Sequence, residues 1–192
     1  MVKALVIVAH PDDETLWMGS YILDNKMWEW HILSLCRADD IDRAPKFRKV
    51  CALLGAQCNI ADLEDENLQP LALTIVIQKI KELLPSQNFD YIFTHGENGE
   101  YGHIRHKEIY QAVNKMIQAK ELSCKSVFYF SYNIAEKQYE KGNKTNLIFS
   151  IPSNLQKMKK HLIHDVYGFK EGVFESNLCN IPEESFFMRE IL

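Results

Sequence analysis

Residues 4–9, ALVIVA, are six apolar residues in a row near the start of the chain, and they constrain the fold more than any other stretch. A strand with one wet face alternates apolar and polar positions. A continuous run keeps both faces dry, as in a parallel sheet covered by helices on each side. Further runs of strand length follow at 30–36 (WHILSLC), 57–62 (QCNIAD, the weakest), 91–95 (YIFTH) and 127–132 (VFYFSY). Between them lie helical stretches: 14–26, 42–55 closed by Gly55 as a C-cap, 71–84 stopped by Pro85, and 104–120 with apolar residues at 104, 109, 112, 113, 116 and 117. Strand and helix alternating in this way predict crossover units, and hence an α/β fold on a mainly parallel sheet. After residue 133 the pattern loosens. The polar stretch 136–146 reads as a surface loop or hairpin turn, LIFSI (147–151) and the terminal SFFMREIL as two late strands, and 154–165 as a helix.

The 192 residues, 46% hydrophobic and 25% charged, suffice for one buried core, so the expectation is a single domain over 1–192. A net charge of -4, with no dense Lys/Arg run, points away from nucleic acid and anionic membranes. A small-molecule partner is expected, with self-association left open. No apolar run approaches the ~18 residues of a spanning helix, and the N-terminus lacks a signal-peptide pattern. Cys36, Cys51, Cys58, Cys124 and Cys179 form no CxxC pair, which predicts reduced thiols and a cytoplasmic protein. The sequon at Asn143–Thr145 is then expected to be idle.

In open parallel sheets the ligand crevice lies past the carboxyl ends of the strands, where strand order reverses. If the first and fourth strands flank that reversal, AHPDDE (9–14) faces HGENGEYGHIRH (95–106), and together these hold His10, Asp12, Asp13, Glu14, His95, Glu97, Glu100, His103 and His106. Each has an ordinary explanation: carboxylates suit a helix N-terminus, and histidines three apart can lie on an exposed helix face. Their coincidence at two strand ends favours a metal site. Two histidines and a carboxylate would hold a catalytic zinc, leaving a second carboxylate as base.

AHPDDE, DRAPKFRKVCALLGA in the second helix and THGENGEYGHIRHKEIYQAV together resemble the PIG-L/LmbE family of zinc-dependent de-N-acetylases, over roughly residues 1–132. The resemblance implies a Rossmann-like three-layer fold with the active site at the C-terminal ends of strands one and four. It implies zinc, or another divalent ion, on His10, Asp13 and His106. Asp12 would be the general base for water attacking an acetamide carbonyl. His103 would stabilise the oxyanion and protonate the departing amine, and Arg43 would contact substrate. The implied activity removes acetyl from an N-acetylated amino sugar or its conjugate. Glu14 is expected to orient His10. Many members carry Asp between the two histidines, where this chain has Arg105, so either Arg105 faces away or another acid such as Glu100 takes over.

Two rival readings remain. An inactive sugar- or nucleotide-binding module would keep the fold without the chemistry. A nucleotide-sugar transferase would need a phosphate-binding glycine motif, and none follows the first strand. Trp17, Trp28 and Trp30 read as packing, with Trp17 or Tyr101 also placed to stack on a sugar. Lys157, Lys159 and Lys160 read as a solvated patch, and Cys36 as a structural thiol.

Overall fold

The apolar run becomes β1 (Lys3–Val8), and Ala4 to Val8 are fully buried in the computed structural model, which describes residues 1–135 and 138–191. Its side chains divide between two cores, Ala4, Val6 and Val8 in one and Leu5 and Ile7 in the other. Each such burial contributes about 1.5–3 kcal/mol for Val, Leu or Ile, so a polar residue on either face of β1 would weaken one of the cores.

Around β1 the chain runs α1 (Asp13–Asp24), β2 (Glu29–Ser34), α2 (Arg43–Leu54), β3 (Gln57–Ile60), α3 (Leu73–Leu83) and β4 (Tyr91–Thr94), then α4 (Gly99–Gly102), α5 (Ile104–Gln118) and β5 (Ser126–Phe130). A hairpin follows, β6 (Tyr132–Ala135) with β7 (Gln138–Lys141), then β8 (Leu147–Ser150), α6 (Ser153–His161), a π-helical turn (Leu162–Tyr167), α7 (Phe174–Leu178) and β9 (Glu183–Glu190). The main sheet has the order β3-β2-β1-β4-β5-β9-β8. β1 to β5 are parallel, and β9 runs antiparallel to both β5 and β8. Helices α1, α2 and α6 cover one face, α3 and α5 the other, which makes three layers. Strand order reverses between β1 and β4, the place where such sheets bind ligands.

The predicted strands and helices appear within a few residues of their expected bounds, and Gly55 closes α2 at φ 75. Of the stretch 136–146, expected as a surface loop or hairpin turn, residues 138–141 form β7, paired antiparallel with β6, and 136 and 137 lie outside the described residues. The late helix continues into the π-helical turn, and both late strands form. Two features depart from the sequence reading. Helix α1 breaks at Met18 (φ -152, ψ 15), and the amides that restart it, Ser20 and Tyr21, donate to the Glu184 carboxylate at 2.9 and 2.7 Å. Lys159 is not part of a solvated patch: it is 1% exposed and pairs with Glu184 at 2.8 Å. A buried carboxylate that caps a broken helix needs such a cation, because an unpaired buried charge is costly. Residues from 133 onward therefore brace α1 from beneath. Trp28 and Trp30 stack at 5.3 Å as packing residues.

Candidate metal centre

The first loop folds back sharply. The His10 amide donates to Asp13 Oδ2 at 2.8 Å, and the Ala9 amide donates to His95 Nε2 at 2.9 Å, which ties the ends of β1 and β4 together. This places His10 Nδ1 3.3 Å from Asp13 Oδ2 and 3.3 Å from His106 Nε2. His106 Nε2 lies 3.5 Å from Asp13 Oδ2, closing a triangle. Donors bound tetrahedrally to a zinc-sized ion at ~2.0–2.1 Å lie about 3.3–3.5 Å apart, so the spacing and the nitrogen and oxygen donor set both fit a divalent metal.

Hydrogen bonding decides which nitrogens are free. Glu100 Oε2 takes the Nδ1 protons of His95 (2.9 Å) and His106 (2.5 Å), while its Oε1 accepts from the Gly96 amide at 2.7 Å. His106 therefore turns an unprotonated Nε2 toward the triangle, the carboxylate–histidine arrangement common at metal sites. His95 spends its Nε2 lone pair on Ala9, so it supports the site without a free donor of its own. Burial alone would raise Glu100, but His95 and His106 outweigh it and hold the carboxyl at about 2. Glu100 itself sits at φ 59, a conformation costly for a non-glycine residue. Beside it Gly96 is obligatory, since a Cβ there would run into the Phe130 carbonyl oxygen.

His10 is oriented from elsewhere. Its Nε2 lies 3.2 Å from Asp65 Oδ2, which also receives Arg37 at 3.1 and 2.8 Å. Burial disfavours the His10 cation, yet Asp13 and Asp65 outweigh it and hold the imidazole at about 10, a positive charge that a bound metal would replace. Asp65 was missed by the sequence reading, although it sits in the connection after β3, at the carboxyl edge where ligand residues gather. Glu14, expected to orient His10, does not touch it: its carboxylate accepts from the Asp12 amide, Thr15 Oγ1 and Tyr167 Oη. Glu97 is also displaced, pairing with Lys144 at the surface.

His103 edges against His10 with ring centroids 4.7 Å apart. As N-cap of α5 it accepts the Arg105 amide at Nδ1 (3.3 Å), which leaves the proton on Nε2. Burial, then the neighbouring His106 and His10, push it down to about 4, so it is neutral near pH 7. The Arg105 side chain faces away, bonded to Glu64 and Glu108, and Glu100 serves His106 rather than His103.

Asp12 and Asp13 are adjacent and electrostatically opposite. Burial, then the charge of Asp13, push Asp12 well above the usual carboxylate range against the pull of Arg43. Burial also opposes ionisation of Asp13, but His106, His95 and His10 keep it well below that range. Neighbouring carboxyls pushed apart in this way suit different roles. Arg43 donates to Asp12 Oδ2 at 2.6 Å and lies 4.8 Å over Phe169. Trp17 Nε1 donates to Asp13 Oδ1 at 2.8 Å, so this tryptophan does more than pack. A cavity of about 280 Å³ opens over the cluster, lined by Asp12, Trp17, Arg43, Asp65, Tyr101 and His103 among others.

An uncharacterized protein of Acanthamoeba polyphaga mimivirus is 30% identical over 125 residues, which cover 55% of this chain and 53% of that one. The chain thus spans about half the length of this curated relative. Among solved structures, the N,N'-diacetylchitobiose deacetylase of Pyrococcus horikoshii superposes with TM-score 0.72 at 17% identity, covering 98% of this chain and 84% of that one. The 4-carboxy-2-hydroxymuconate hydratase of Pseudomonas putida superposes with TM-score 0.70 at 12% identity, covering 100% and 97%. At these identities the likeness is one of fold, and that fold carries differently named activities. The family model described as PIG-L, GlcNAc-PI de-N-acetylase, matches residues 5–117, more than half of the sequence, and the chain belongs to that family.

Proposed function

We propose that residues 1–192 form one catalytic domain, a zinc-dependent hydrolase that removes acetyl from an N-acetylated amino sugar or its conjugate. The observation that carries this reading is the division of labour in the first loop: Asp13 belongs to the donor triangle, while Asp12 stands outside it, buried and bonded to Arg43. The family's described activity and the deacetylase among the structural neighbours support the reaction class.

His10, Asp13 and His106 would hold the metal, which would supply a Lewis acid for an acyl oxygen and ease deprotonation of water near neutral pH. Asp12 accepts the proton of the attacking water. Asp12, rather than His103 as expected, then returns that proton to the leaving amine, because an imidazole held at about 4 is neutral near pH 7 and has no imidazolium proton to give. Arg43 fixes Asp12 through one oxygen, and Glu14 holds its amide at φ 122, a strained conformation for aspartate. His103 offers Nε2–H to the developing oxyanion as a neutral donor. Trp17, Tyr101 and Phe174, neighbours at ring-centroid distances of 6.5 and 5.2 Å, line the cavity with aromatic surface for a sugar, and Arg37, Asp40 and Arg43, which also line it, offer polar groups for hydroxyls. A catalytically idle binding module has no use for a free base beside a complete donor set. Cys36, Cys51, Cys58, Cys124 and Cys179 are free thiols, which supports a reducing, cytoplasmic setting. Among the described residues no helix is long and apolar enough to cross a membrane.

The test is metal analysis of the purified protein together with amine release from a panel of N-acetylglucosamine conjugates. Stoichiometric zinc with amine release is expected. Metal without release, and water addition to an unsaturated hydroxyacid instead, would reassign the reaction to the hydratase class.

A further inference from the structure

The connection 61–72 between β3 and α3 has no regular secondary structure, yet it carries Asp65, the carboxylate that faces His10. A connection of this length lies at the upper end of ordinary loop lengths in compact domains. What holds this one is Arg105, which stands between the two histidines in sequence and is 1% exposed. Its guanidinium donates to the Glu64 carbonyl oxygen, to Glu64 Oε2 at 2.7 Å and to the Gln69 carbonyl oxygen at 2.8 Å. It also pairs with Glu108 Oε2 at 2.7 Å, and Glu108 Oε1 accepts the Leu71 amide at 2.7 Å. One face of α5, at positions 105 and 108, therefore grips the connection on both sides of Asp65.

Asp65 is left with an unused valence. Oδ2 is filled by Arg37 and His10, but Oδ1 is one of two buried side-chain polar atoms without a hydrogen-bond partner among the described residues. Oδ1 lies 3.9 Å from His103 Nε2, the nitrogen that carries the proton. A single carboxylate thus faces both imidazoles that flank the cavity.

We propose that Arg105 is a positioning residue for the metal centre: with Glu108 it clamps the 61–72 connection so that Asp65 orients His10 and faces His103. The inference rests on the metal-site reading above. The arginine acts on the site through the loop it holds, and its charge is neutralised by Glu64 and Glu108 away from the imidazoles.

The experiment is a double-mutant cycle read as zinc affinity, by competition with a chromophoric chelator, in the wild type, Asp65→Asn, Arg105→Met and the double variant. Loss of an outer partner of a ligating histidine lowers metal affinity about 10–100-fold. Each single variant should fall in that range, and the double variant should fall no further than Asp65→Asn alone. Unchanged affinity in Arg105→Met, or losses that multiply in the double variant, would overturn the proposal. If Arg105→Met does not fold, Glu64→Ala removes one grip from the surface side and should give a smaller loss that also vanishes in the Asp65→Asn background. Wild-type protein that binds no zinc would overturn the metal reading and this inference together. Zinc bound normally by Asp65→Asn would overturn this inference alone.

Discussion

His106 and His10 each offer one nitrogen to the cluster, Nε2 and Nδ1 respectively, but are held in opposite ways. His106 is fully buried, and its carboxylate partner, Glu100, lies six residues away in the same strand-end segment, anchored by the Gly96 amide and shared with His95. His10 is partly exposed, and its partner, Asp65, arrives from a separate connection pinned by Arg37 and neighboured by the Arg105 clamp. The first half is built into the core, so it is rigid for the same reasons the fold is stable. The second half is assembled from parts far apart in sequence, and its geometry depends on how a loop is held.

The largest effects should ignore this difference. His106→Ala and His10→Ala each remove a donor from a three-donor set, and both should reduce bound zinc to background by elemental analysis. Retention in His10→Ala alone would show that the buried half suffices. Asp12→Ala, outside the triangle, should keep its zinc while turnover falls about 10²–10⁴-fold, the range for a lost general base. Equal zinc loss in Asp12→Ala and His106→Ala would merge the roles that separate Asp12 from Asp13.

The next comparison is the sharpest. Glu100→Gln should lower zinc affinity and also destabilise the fold, by about 1–3 kcal/mol in chemical denaturation, because it leaves buried partners in the core without their acceptor. Asp65→Asn should lower affinity with a much smaller change in denaturation midpoint. Equal stability losses would erase the contrast between the two halves. The smallest effect lies where residues past 133 meet the first loop. Tyr167→Phe removes the hydroxyl donated to Glu14 and should cost about 0.5–1.5 kcal/mol by thermal melting, leave zinc unchanged and lower kcat more than it raises KM.

Much of the Glu100 half was legible in the sequence, because its parts are local. His95, Glu100, His103 and His106 fall within twelve consecutive positions at a predicted strand end, and the helix after them is marked by its apolar spacing. The indole of Trp17 on Asp13 is an i, i+4 contact that helical spacing alone would have allowed. The Asp65 half was not legible. Asp65 sits among other acids, Glu64 and Glu66, in a weakly patterned stretch, and nothing local separates it from a solvated loop residue. The same holds for Lys159, whose neighbours Lys157 and Lys160 share its chemistry but not its burial against Glu184.

The sequence by itself determined the alternation of strand and helix, the double burial of β1 and the meeting of AHPDDE with GHIRH, because apolar periodicity and strand order act over short distances or through the whole sheet. Only the tertiary structure decided which acid serves which histidine, since that depends on where a loop without regular structure is pinned. It also decided that Arg105, placed between the two histidines, reaches away from them to hold Asp65 in its place.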